Sequence, residues 1–61
     1  MSSFYIELTD KEIVHVSLAT AKAIKGNGNQ DAVNTFESVL KKLEPYIDDA
    51  TKMSVQMMKI I

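Results

Sequence analysis

The sequence predicts an all-α protein, a small three-helix bundle made of a helical hairpin plus a C-terminal helix, with an extended or strand-like N-terminal arm and a dimeric assembly. Three observations predict it. Apolar residues recur at helical spacing through three successive stretches, broken by a Gly-Asn-Gly-Asn turn and by Pro45. Only the first eight residues alternate with period two. At 61 residues without cysteine, the chain is one domain near the lower limit for folding alone, so self-association is the expected reinforcement.

In the first segment, 1–8, Phe4, Ile6 and Leu8 fall on one side and Tyr5 and Glu7 on the other. No second strand-like stretch follows, so a strand here needs a partner from another copy or another protein. The alternative is an extended arm lying over the helices. Thr9 to Glu12 then reads as a capping box, the Thr9 hydroxyl serving the Glu12 amide and the Glu12 carboxylate serving the Thr9 amide, with Leu8 placed to staple onto Ile13.

The first helix is expected over about 9–25, with Ile13, Val14, Ser17, Thr20, Ala21 and Ile24 on one face. The small residues at its centre suit close approach of a second helix. Gly26 is the expected left-handed terminator, and Asn29 or Asp31 the next cap.

The second helix, about 30–43, carries Ala32, Val33, Phe36, Val39, Leu40 and Leu43 on one side, with Phe36 as the largest core anchor. Its polar side holds Asn34, Thr35, Glu37, Ser38, Lys41 and Lys42, with Glu37 and Lys41 spaced to pair. Pro45 excludes Glu44 from helical geometry and suits a first helical position, so the third helix is expected over 45–61, with Asp48 and Asp49 in its first turn and an Asp48–Lys52 pair on a solvent side shared with Gln56 and Lys59.

The apolar arc of that third helix is wider than one docking stripe needs. It defines the candidate interface: Tyr46, Ile47, Ala50, Met53, Ser54, Met57, Met58 and Ile61, together with Phe4 and Ile6 of the arm. Three methionines in such an arc suit either core filling or an adaptable partner surface.

Composition narrows the function. Seven basic residues, all Lys, against eight acidic ones give a net charge of −1, a poor footprint for nucleic acid or an anionic membrane, and no Arg supplies a bidentate fork. No apolar run is long enough to span a bilayer, and no basic n-region precedes an apolar core, so a cytoplasmic location is expected. His15 projects away from the apolar face of its helix and has only Glu12 near it in sequence, and Asp48 and Asp49 point about 100° apart. No catalytic residue, metal ligand or cofactor is therefore expected.

The expected function is that of a non-catalytic protein-protein interaction module: a small regulator or inhibitor, of bacterial or phage type, that acts by binding a larger macromolecule. The competing expectation is a dimeric helical DNA-binding regulator, reading through Asn34, Thr35, Ser38, Lys41 and Lys42. The net negative charge and Glu37 on that same face disfavour it.

Overall fold

A computed structural model describes residues 2–61, so the expectation for Met1 lies outside the described residues. Its elements are α1 (Asp10–Ile24), α2 (Gln30–Leu43), a 3-10 turn (Glu44–Tyr46) and α3 (Asp49–Ile60), with no strand among the described residues. The all-helical class and the three packed helices are as the sequence predicts.

Each boundary has a local cause. Thr9 closes the predicted capping box: its amide donates to Glu12 Oε1 at 2.8 Å, and the Glu12 amide donates to Thr9 Oγ1 at 3.2 Å. At the other end, Gly26 takes φ +67°, a conformation that side chains with a Cβ resist, and the Asn27 amide donates to the Ile24 carbonyl at 3.1 Å. Asn29 caps α2, its Oδ1 accepting the Ala32 amide at 3.1 Å, while Asp31 lies inside the helix.

The third helix begins later than expected. Glu44, expected outside helical geometry, keeps it at φ −51° and ψ −43°, and Pro45 starts no α-helix; both sit in the 3-10 turn that continues from α2, and Ile47 then extends at φ −116° and ψ 151°. Asp48 is the N-cap, its Oδ1 accepting the Thr51 amide at 2.7 Å. A proline fits a first helical position, but a carboxylate that binds a free helical amide decides where the helix starts. Tyr46 and Ile47 therefore precede α3.

Two expected ion pairs are also replaced. Glu37 meets not Lys41 but Lys59 of α3, at 2.8 Å, and Lys52 lies 4.0 Å from Asp49 because Asp48 is occupied as the cap.

α1 is the hub. It packs along both α2 and α3, which scarcely touch one another; the Glu37–Lys59 pair joins them directly. The predicted α1 face is the packed one: Ser17 and Ala21 are fully buried, and Ile13, Val14, Thr20 and Ile24 are half-buried. The Ser17 hydroxyl donates to the Ile13 carbonyl at 2.7 Å, so its burial leaves no donor unpaired. Small side chains at the centre let one helix approach two neighbours.

The molecule is correspondingly thin, 14 Å in its least Cα dimension, which is the depth of about two helices in contact. The apolar face of α2 is only half-buried, Phe36 included. On α3, Val55 alone is buried.

Two expectations follow. Ala21→Leu forces extra volume into the tightest contact and should cost about 1–3 kcal/mol, read as a lower melting temperature by circular dichroism at fixed protein concentration. The carboxyls of Glu12 and Asp48 are held below their ordinary values, Glu12 by the Thr9 backbone amide and then the Thr9 side chain, Asp48 by the Thr51 side chain and then the Thr51 amide. Because the folded values are the depressed ones, this stabilisation is present above the ordinary carboxylate range and is lost as pH falls through the lowered values. An acid titration of helicity should therefore show a loss that Glu12→Gln and Asp48→Asn flatten.

Candidate interaction surface

α3 shows how its own sequence is used against expectation. With about 100° per residue, a helix that buries Val55 turns Thr51, Lys52, Met58 and Lys59 toward the same side, and all four are half-buried. Ala50, Met53, Met57 and Ile60 lie about 140–160° away. They face out, with Met53 68%, Met57 55% and Ile60 80% exposed.

The helix thus docks on its narrower, more polar side. Two lysines serve that side by laying their stems along the protein and carrying their ammonium groups outward. Lys59 reaches Glu37, and its side chain is left only 22% exposed.

The outward residues are spaced three, four and three apart, the repeat of a helix-pairing seam. Tyr46 and Ile61, both 67% exposed, stand beyond its two ends in sequence. Of the other candidate interface residues, Ser54 and Met58 are half-buried, and Ile47 joins Leu40 and Val55 in a groove between α2 and α3 that carries Asn34, Glu37, Lys41, Lys52, Gln56 and Lys59 as polar lining.

Phe4 and Ile6 are remote from this packing. Residues 2–8 belong to no helix or strand, and Phe4, Tyr5 and Ile6 are 84%, 100% and 77% exposed. The expectation that this segment lies over the helices does not fit such exposure, because in a single copy its large side chains cover almost nothing.

Sequence reasoning missed Val55, which lies between polar neighbours Ser54 and Gln56. The available signal was Glu37: an acid on α2 with a lysine four residues from Val55 on the next helix allows the pair that turns α3 this way.

The surface total agrees with the local picture. A folded monomer of 6.8 kDa exposes about 4,000 Å², whereas this chain exposes 5,001 Å². The excess, about 1,000 Å², is of the size that one partner contributes to a standard protein interface, about 800 Å².

His15 is exposed on α1, and no group of three or more metal-ligating side chains occurs among the described residues. No helix among them is long and apolar enough to cross a membrane. Comparison with protein-family models, curated proteins and solved structures finds no match.

Proposed function

We propose that the chain is a non-catalytic protein-protein interaction module, a small regulator or inhibitor that works as a homodimer and acts by occupying a surface of a larger macromolecule. One observation carries this reading: α3 is docked through Val55 and half-buried lysine stems, while its more apolar face, Ala50, Met53, Met57 and Ile60, is left to solvent. A run of large apolar side chains on one exposed helix face marks an association site.

The occupant that fits is a second copy. The excess area is that of one side of a standard interface, and a seam of the same residues on both sides closes by two-fold symmetry. Methionines at the centre adapt to whichever surface they meet, which suits a dimer that also engages a target.

The DNA-binding alternative draws on one feature. Asn34, Thr35, Ser38, Lys41 and Lys42 are exposed together on α2. Glu37 stands in that row, and no Arg supports it.

The test is a pair of substitutions compared by light scattering. Met53→Glu combined with Met57→Glu should convert dimer to monomer with helicity retained, because both side chains are largely outside the fold. Gln56→Glu should leave the dimer intact. Equal behaviour of the two variants contradicts the reading. A shift of duplex DNA that weakens steeply with salt, without any dimer-dependent protein contact, would favour the alternative.

A further inference from the structure

The C-terminal ends of α1 and α3 enclose a cleft of about 440 Å³, lined by Lys22, Lys25, Ser54, Met57, Met58 and Ile61. Its lining is apolar on the α3 side and cationic on the α1 side. Neither Lys22 nor Lys25 is in an ion pair among the described residues.

The segment 2–8 has the complementary character. It presents Phe4, Tyr5 and Ile6 almost fully to solvent, followed by the carboxylate of Glu7. Phe4 and Ile6 share one side of an extended chain, and Glu7 lies on the other, where flexible lysines on a rim can meet it.

The backbone of a chain's own Glu7 starts far from its own cleft. Glu7 is two residues from Thr9 and reaches at most about 7 Å from it, whereas Lys22 lies about 20 Å from Thr9 along α1. Within one chain the segment leaves the cleft open, with Phe4, Tyr5 and Ile6 almost fully exposed.

The geometry points to reciprocal exchange between two copies: residues 2–8 of each form an arm that seats Phe4 and Ile6 on Met57, Met58 and Ile61 of the other, with Glu7 against Lys22 and Lys25. This inference rests on the α3-mediated dimer and specifies how it is completed.

Area, direction and continuity agree on this exchange. An aromatic side chain buries about 150–250 Å², so a seated Phe4 adds an area of that order, with Ile6 beside it. The outer face of one twelve-residue helix falls short of an interface side without such a contribution.

α3 carries Asp49 in its first turn, and Lys22 and Lys25 stand alongside its end. Antiparallel pairing sets opposite charges and opposite dipole ends together, whereas parallel pairing would oppose like ends. Because α1 and α3 share their C-terminal cleft, they run the same way. Antiparallel pairing therefore brings the start of one copy's α1, from which the arm departs, to the cleft of the other.

Met57 belongs both to the outward seam and to the cleft. An arm seated there extends the α3 contact without a gap.

The test reads dimer dissociation by sedimentation, with circular dichroism as the check on folding. Glu7→Lys should raise the dissociation constant at least tenfold, and adding Lys22→Glu and Lys25→Glu to that chain should restore it. In a second arm, mixed chains carrying Glu7→Cys and Lys25→Cys, treated with a short bismaleimide, should give a covalent heterodimer that neither chain forms alone. A wild-type dimer that tolerates Glu7→Lys and gives no heterodimer overturns arm exchange while leaving the α3 contact standing, and leaves the cleft to another occupant. A linkage formed within a single Glu7→Cys, Lys25→Cys chain also overturns it. A monomeric wild type overturns both.

Discussion

α1 must serve two helices at once, and it does so with its smallest residues. Ser17 and Ala21 are the points at which α1 disappears from solvent completely, and the close approach they permit is what lets α2 and α3 share one hub. Everything else about the molecule follows from how little that hub can cover. α2 and α3 are joined to each other by a single ion pair between Glu37 and Lys59, and the fold stays about two helices deep.

Such a core is thin for 61 residues. Chains of this size bury only about 60% of their unfolded surface, less than larger domains do, and cross-links, metals or partners are the usual remedies. Here the same economy that leaves the core small leaves apolar side chains outside. Met53, Met57 and Ile60 on α3 and Phe4, Tyr5 and Ile6 in the N-terminal segment form the surplus. Association would thus complete the fold as much as it would create a function.

Much of the architecture was legible because it is written in local chemistry. Thr9 with Glu12, Gly26 and Asn29 fix ends by hydrogen bonds or backbone freedom that reach only a few residues, and the packed face of α1 follows from spacing alone. The orientation of α3 was not legible in that way. A helix with apolar residues around most of its circumference has two plausible docking sides, and summing hydrophobicity favours the one that the structure leaves outside. The choice depends on Glu37 and Lys59, which are 22 residues apart in sequence, and on Asp48, not Pro45, setting where the helix starts. Tertiary pairing of that kind carries no periodic signature. Phe4 and Ile6 are exposed, and the cleft between α1 and α3 exists only once the helices are packed, so the sequence carries no sign of it.

In the proposed homodimer the outward face of α3 is one half of a two-fold interface. Sedimentation equilibrium of the unaltered protein across micromolar concentrations tests it most directly. A homodimer should give a mass of twice the 6.8 kDa chain, falling toward the single-chain value only on dilution. A single-chain mass throughout that range would contradict it.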